Sequence, residues 1–319
     1  MALAARAASL LPTRRFRGAY ENVLGTSLEL QVGARAERSA QRATEVALAE
    51  IDRLEPLFSR YNPQSELSRW QAQRGVPTPL SPELLEVLHL SQQWQERSKG
   101  TFHPGVESLT QLWKAAQARG TLPTESDLAR VREYLADPLW ELDRVSKTAC
   151  FQTRCAITLN AIAKGYIVDQ ACFAASQVPG VQDVLLSIGG DLRAIGSHTH
   201  RVGIADPNQD AENAPVCCTI GLRDAALATS GGYRRGFLIE GRRYSHLLDP
   251  RTGWPVEQIV SASVVAPTTT EADVLATVCS LLHPEESLEL AQSVPSCAIF
   301  LVTQEGRRYQ NARWTTLVL

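Results

Sequence analysis

His246 is the residue of this 319-residue chain best suited by type and setting to move a proton near neutral pH. It lies in Arg243-Tyr244-Ser245-His246-Leu247-Leu248-Asp249-Pro250-Arg251-Thr252-Gly253-Trp254-Pro255. From Asp249 to Gly253 the pattern is a turn: Pro250 presets φ, and Gly253 tolerates a positive φ. A neutral imidazole beside such a corner could take a proton from a hydroxyl nucleophile, with the hydroxyls of Ser245 and Thr252 close in sequence. The same spacing suits a core histidine satisfied by backbone. A second candidate is Asp273 with Thr277, in Ala272-Asp273-Val274-Leu275-Ala276-Thr277. Four residues apart on a helix, they share one face. Two hard oxygen ligands, completed by a backbone carbonyl, water and ligand phosphates, would suit Mg²⁺. Taken alone, Asp273 fits equally well as a first-turn acid favouring the helix dipole.

Three further stretches could approach a ligand closely. Asn160-Ala161-Ile162-Ala163-Lys164-Gly165-Tyr166 reads as a strand-to-helix junction, where small residues admit a ligand and the helical amides favour phosphate. Lys164 adds a positive charge, although a tight packing junction would look the same. Ser187-Ile188-Gly189-Gly190-Asp191 is a strand, a glycine pair and an acid. It lacks the G-x-G-x-x-G spacing, which excludes a dinucleotide-binding Rossmann unit. Ala228-Thr229-Ser230-Gly231-Gly232-Tyr233 is compatible with phosphate or simply with a turn.

The elements that must position these residues are mixed. Alternation from Ser27 to Val32 marks a strand, and Phe237 and Ile239 mark another, closed by a turn at Gly241-Arg242. Ala40, Ala43, Ala47, Ile51, Leu54 and Phe58 recur at helical steps and predict a long amphipathic helix ending before Ser59. Ser81-Pro82-Glu83 reads as an N-cap followed by Pro at the first helical position, with Lys99-Gly100 as the stop. A strand pair is expected over Trp140–Val145 and Ala149–Leu159, then a helix over Ile167–Gln177 and a buried strand over Val184–Ile188. Helices are expected at about 271–282 and 284–293, the first capped by Thr270 or a neighbouring threonine. A polar surface loop falls at 208–215. Strands in hairpins between long helices, with no repeat, indicate an α+β fold. Residues 1–19 read as a flexible tail and 20–319 as one domain, with a peripheral helical portion at roughly 60–140.

Composition bounds the rest. An apolar fraction of 44% supports a sizeable core, and a formal charge of −2 gives no general pull toward nucleic acid. The seven cysteines form no Cys-x-x-Cys pair, and their odd number argues against a complete disulfide framework. No run of 18 apolar residues is present, so no transmembrane segment is expected. The Ala/Leu-rich start is interrupted by Arg6, and no apolar run follows Arg14-Arg15. As written the chain is expected in the cytoplasm, or in the periplasm if an upstream export signal precedes it.

Seven blocks in order give the chain a resemblance. They are Leu24-Gly25-Thr26; Ser59-Arg60-Tyr61 with Ser65-Glu66-Leu67-Ser68; Ala161–Tyr166; Gly189-Gly190-Asp191; Thr229-Ser230-Gly231; Ser245–Gly253; and Ala266-Pro267 with Ala272-Asp273 and Ala276-Thr277. In this order they resemble the ApbE family of FAD:protein FMN transferases, over about residues 20–305. The resemblance implies a compact α+β domain related to the tunnelling fold. It also implies a Mg²⁺-dependent cleavage of FAD that attaches FMN to a threonine of a partner flavoprotein and releases AMP. His246 falls where the family places its base, and Asp273, Thr277 and the carbonyl of Ala161 fall on the metal positions. Leu24, Tyr61, Thr101, Phe102, His103, Thr158, Lys164 and Leu248 fall on flavin-nucleotide positions. Many members carry Asp where this chain has His103 and Thr158, and Gly where it has Asn160-Ala161, so nucleotide contacts are expected to differ. Two other functions share these residues: a Mg²⁺-dependent FAD pyrophosphohydrolase giving FMN and AMP, and a non-catalytic flavin-binding module.

Overall fold

The computed structural model describes residues 12–207, 216–232 and 236–319. The expected loop at 208–215, Tyr233 of the second glycine motif and residues 1–11 of the expected tail lie outside them.

An eight-stranded antiparallel sheet forms the frame. In chain order it uses β1 (Arg14–Val23), β2 (Thr26–Ala34), β6 (Val181–Ile188), β7 (Asp191–Gly196), β10 (Ala226–Ser230), β13 (Ile259–Ala266), β14 (Ala298–Thr303) and β15 (Arg308–Gln310), which are neighbours in that same order. Residues 14–19 are not part of a tail but of β1, which pairs with β2 from Arg14↔Ala34 onward. The exposed, Arg-rich pattern of an edge strand hid it.

Three smaller sheets accompany the frame: β3 (Pro77–Pro79), β4 (Trp140–Asp143) and β5 (Thr148–Phe151); β8 (His200–Ala205) with β9 (Val216–Leu222); and β11 (Gly236–Ile239) with β12 (Arg242–Ser245). The strand expected over 149–159 therefore stops at Phe151, and Pro104 and Ser108 hold the segment that follows by its backbone. The β11–β12 turn is Glu240-Gly241, both at positive φ, and Arg242 is already paired with Ile239.

Nine α-helices lie among the described residues: α1 (Glu37–Phe58), α2 (Glu66–Gln71), α3 (Pro82–Arg97), α4 (Glu107–Arg119), α5 (Glu125–Ala136), α6 (Asn160–Ser176), α7 (Thr269–Leu281), α8 (Pro284–Gln292) and α9 (Ala312–Thr315). All six apolar positions read from the α1 periodicity are buried. Ser81 caps α3 as expected, its hydroxyl accepting from the Leu84 amide at 3.3 Å. Gly100 at φ +80° ends that helix by donating back to the Gln95 carbonyl.

Strand alternation divides the core between the two faces of the main sheet. In β13 and β14, Val264, Ile299 and Leu301 join the large core shared with α1, α6 and α7. Val265, Phe300 and Val302 face the other way, against β8, β9 and Trp314 of α9. α2–α5 and the β3–β5–β4 sheet extend the large core, since Trp70, Leu84, Trp113 and Trp140 are buried in it.

Candidate active site

α6 begins at Asn160, seven residues before the expected start, so the Ala161–Tyr166 motif forms its first turns. Ala161 departs from helical geometry (φ −88°, ψ +16°), which kinks the helix at that residue. One turn on, Gly165 lets α7 approach closely: a Cβ there would lie 2.6 Å from the Thr269 carbonyl oxygen. The Gly165 amide, whose regular helical acceptor would be the Ala161 carbonyl, also favours the charged form of the Asp273 carboxyl.

α7 is fixed at its start. Thr268, rather than Thr270, is the N-cap and accepts from the Glu271 amide at 3.2 Å. Thr270 is engaged otherwise. Asp169 of α6 accepts from the Thr269 amide at 2.8 Å, the Thr270 amide at 2.9 Å and the Thr270 hydroxyl at 2.7 Å. This clamp is absent from the sequence reading; an acid one turn beyond Gly165 on the same face was its only signal. Asp273 therefore sits in the second helical turn and is buried. Thr277 follows one turn later and is half-buried.

Opposite, Gly189 and Gly190 both take positive φ in the turn from β6 to β7 and deliver Asp191 as the first residue of β7. Gly189 packs on Thr26, placing this turn beside the Leu24-Gly25 turn of the β1–β2 hairpin, where Leu24 itself has φ +50°. Asp191 is 1% exposed and pairs with Lys164 Nζ at 2.7 Å. Burial pushes the Asp191 carboxyl up from its ordinary range, and the Lys164 charge opposes that rise. Burial also raises the Asp273 carboxyl, and the charge of Asp191 raises it further. Asp273 Oδ2 has no hydrogen-bond partner among the described residues.

That orphaned oxygen tests whether a cation fits. Among the described residues no group of three His, Cys, Asp or Glu side chains converges as a metal site. A cation here would rest on fewer protein oxygens: a buried carboxylate in need of a partner, with a hydroxyl one turn away and the carbonyl of a kinked residue across the helix contact. Such a set suits a hard ion that keeps water and phosphate ligands. The donors fit.

A second group of elements carries the remaining positions, and α4 ties it together. Glu107 at its start forms a buried ion pair with Arg60, whose guanidinium also lies over the Tyr61 ring at 4.6 Å. The Tyr61 side chain itself is 73% exposed, as a stacking surface would be. Thr101 and Phe102 are buried, and Thr101 Oγ1 lacks a partner among the described residues. The Thr158 amide donates to the Pro104 carbonyl at 2.9 Å, tying that loop to the start of α6.

His103 has another task. Its Nδ1 accepts from the Gly105 amide and its Nε2 donates to the Leu135 carbonyl, both at 3.0 Å. Burial holds its pKa below the ordinary histidine value, only partly offset by the Leu135 carbonyl, so the ring is a neutral clamp. It brings no charge to that loop.

Midway along α4, Trp113 Nε1 donates to the Gly253 carbonyl at 2.9 Å. Its ring packs against Phe237, Tyr244 and Trp254. The turn itself closes as read from the sequence: the Gly253 amide donates to the Asp249 carbonyl at 2.7 Å, with Gly253 at φ +81°. The Asp249 carboxylate binds Arg251 through backbone and guanidinium. Ser245 and Thr252 hydroxyls accept from the Leu247 and Trp254 amides, so both shape the turn. Leu248 is buried, and half-buried His246 stands between the end of β12 and this corner. Glu107 and Trp113 went unread as supports because their partners lie 47 and 140 residues away.

A single-domain α+β fold of this kind is known from solved structures. The chain superimposes on the ApbE protein of Thermotoga maritima with a TM-score of 0.83 at 23% identity, covering 95% of this chain and 99% of that one. It also matches the apo flavinyl transferase ApbE of Pseudomonas stutzeri, at TM-score 0.78 and 26% identity over 96% of each chain. The ApbE family model matches residues 24–301, and the chain belongs to the ApbE family. Among its relatives, the FAD:protein FMN transferase of Haemophilus influenzae is 30% identical over 257 residues, covering 77% of this chain and 73% of that protein. The one of Salmonella typhimurium is 28% identical, covering 88% and 81%.

Proposed function

We propose that this protein transfers the FMN moiety of FAD to a hydroxyl of a partner protein, a threonine of a flavoprotein, and releases AMP. The observation that carries this reading is the buried Asp273 oxygen left without a partner beside the Lys164–Asp191 pair, in a chain of the ApbE family. Asp273 and Thr277, with the Ala161 carbonyl, would hold Mg²⁺. Bound there, the ion would neutralise charge on the FAD pyrophosphate as it divides.

The chain's own groups do the rest. Lys164 offers its ammonium to the phosphates from the first turns of α6, near amides that favour anions. Leu24, Tyr61, Thr101, Phe102, Thr158 and Leu248 supply the surface for the flavin and nucleotide. His246 accepts the acceptor proton while the acceptor oxygen bonds to the FMN phosphorus. The pyrophosphate bridge breaks, and AMP leaves with the bridging oxygen. His103 contributes by holding the 101–105 loop.

The test incubates the protein with FAD, Mg²⁺ and a threonine-bearing flavoprotein domain and weighs the intact acceptor by mass spectrometry. The expected result is an FMN-sized gain that disappears with EDTA and in His246→Ala. AMP release with no mass gain on any acceptor would replace the reading by FAD hydrolysis. FAD binding without either product would leave a flavin-binding module.

A further inference from the structure

Lys164 faces more than one carboxylate. Its Nζ is 2.7 Å from Asp191 Oδ2, and its charge also acts on Asp273. An ammonium is a compact cation on a flexible stem and can answer the same buried oxygen that a metal would. Neither Asp191 Oδ2 nor Asp273 Oδ2 accepts a hydrogen bond among the described residues, but Asp191 Oδ2 has the ammonium as an ion-pair partner and Asp273 Oδ2 has none there. What distinguishes the two acids is placement. Asp191 is carried by the Gly189-Gly190 turn of the sheet, whereas Asp273 is carried by α7, whose position Asp169 and Gly165 fix. A third acid completes the charge balance. Asp169 raises the carboxyl of both, and it is itself occupied by the α7 amides and by Arg193 at 3.6 Å. Asp191 is thus the counter-ion assigned to Lys164.

We propose that Asp191 is a positioning residue that holds the Lys164 ammonium away from Asp273, and so keeps the Asp273 carboxylate open to a divalent cation. Lys164 is an internal competitor for the metal position, and Asp191 restrains it. Where Asp191 is replaced by an uncharged side chain, Lys164 turns to Asp273 and fills the site with its own charge. The inference rests on the reading of Asp273 as a metal ligand.

The experiment uses Mn²⁺ alone on the full chain without flavin, because it prefers the same oxygen donors and its free aqua ion is counted directly by electron paramagnetic resonance. Wild-type protein is expected to bind Mn²⁺, with Mg²⁺ competing, and Asp273→Asn to abolish it. Asp191→Asn is expected to weaken Mn²⁺ binding on the order of tenfold, the effect of one displaced charge. The distinguishing result is rescue: Asp191→Asn with Lys164→Met should return affinity to within about threefold of wild type, a coupling that independent sites do not show. A merely structural role for Asp191 predicts weakening without rescue, and that outcome overturns the proposal. If Asp191→Asn does not fold, Lys164→Met alone decides: binding equal to or tighter than wild type supports the competitor role, and weaker binding overturns it. Absence of Asp273-dependent Mn²⁺ binding in wild type would remove the metal reading itself. Wild-type binding with an unaffected Asp191→Asn would remove only the restraint.

Discussion

The helix crossing at Gly165 and the turn after His246 solve the same problem, holding a reactive group in place, by opposite means. At the crossing, three carboxylates and two cations from three separated segments are packed together, and one carboxylate oxygen is left with neither a hydrogen bond nor an ion pair among the described residues. At the turn, the carboxylate, the hydroxyls and the amides satisfy one another within a dozen residues. Unpaired buried charge is costly unless it meets a partner, so the crossing is built to receive a ligand. The turn is satisfied without one and only aims its histidine. The difference teaches where chemistry and scaffold separate: the crossing stores electrostatic demand, and the turn stores geometry.

Removing the aimed group should have the largest effect. His246→Ala is expected to slow FMN transfer about 10²–10⁴-fold, the usual contribution of a positioned base, with Mn²⁺ binding unchanged. A time course of acceptor mass measures it; a wild-type rate would strip His246 of its role.

A pair of glycine substitutions sharpens the contrast. Gly165→Ala puts a methyl 2.6 Å from a backbone oxygen that cannot swing aside. The expected cost is about 1–3 kcal/mol from overpacking, together with loss of Mn²⁺ binding. Gly253→Ala meets the side-chain ends of Leu128 at 3.0 Å and Leu109 at 3.4 Å, which can shift, and pays chiefly for its left-handed φ, about 1–2 kcal/mol. It should leave Mn²⁺ binding intact. Denaturant midpoints and metal titrations of both read the result, and metal loss in Gly253→Ala instead would erase the distinction.

Trp113→Phe removes the one bond from α4 to the Gly253 carbonyl while keeping most of the ring packing. A loss of about 1 kcal/mol is expected. The transfer rate should fall while Mn²⁺ affinity holds, since α4 supports the turn and not the crossing.

The smallest effect at neutral pH belongs to a polar cluster away from both regions. His200 is buried beside His198, Asp183 and Arg15, and burial holds its pKa at about 4 against an ordinary 6.5. The unfolded chain therefore takes up the proton first, and stability should fall as pH drops from about 6.5 toward 4. His200→Gln should flatten that slope in chemical denaturation across this range. An unchanged slope would show that His200 is not the titrating group.

The sequence reading reached the local features because their causes are local. The α1 stripe, the Ser81 cap and the Asp249–Gly253 turn each follow from spacing and backbone preference, and each formed as read. It missed β1 because an edge strand exposed on one side carries little alternation, and it left the cap of α7 open between Thr270 and a neighbouring threonine because adjacent threonines are equivalent in sequence; the fold selects Thr268. His103 was read as a nucleotide neighbour; only the fold reveals that both ring nitrogens serve the backbone.

By itself, the sequence determined the periodic elements, the turn that aims His246, the seven ordered blocks and the residue types able to hold a cation. Tertiary structure alone decided that Asp169 fixes α7, that Glu107 and Trp113 make α4 the support of one group of positions, and that Asp191 rather than Asp273 takes the Lys164 charge. The reason is physical. Propensity and capping act over a few residues, whereas a buried charge finds its partner only when folding brings together segments that the chain keeps far apart.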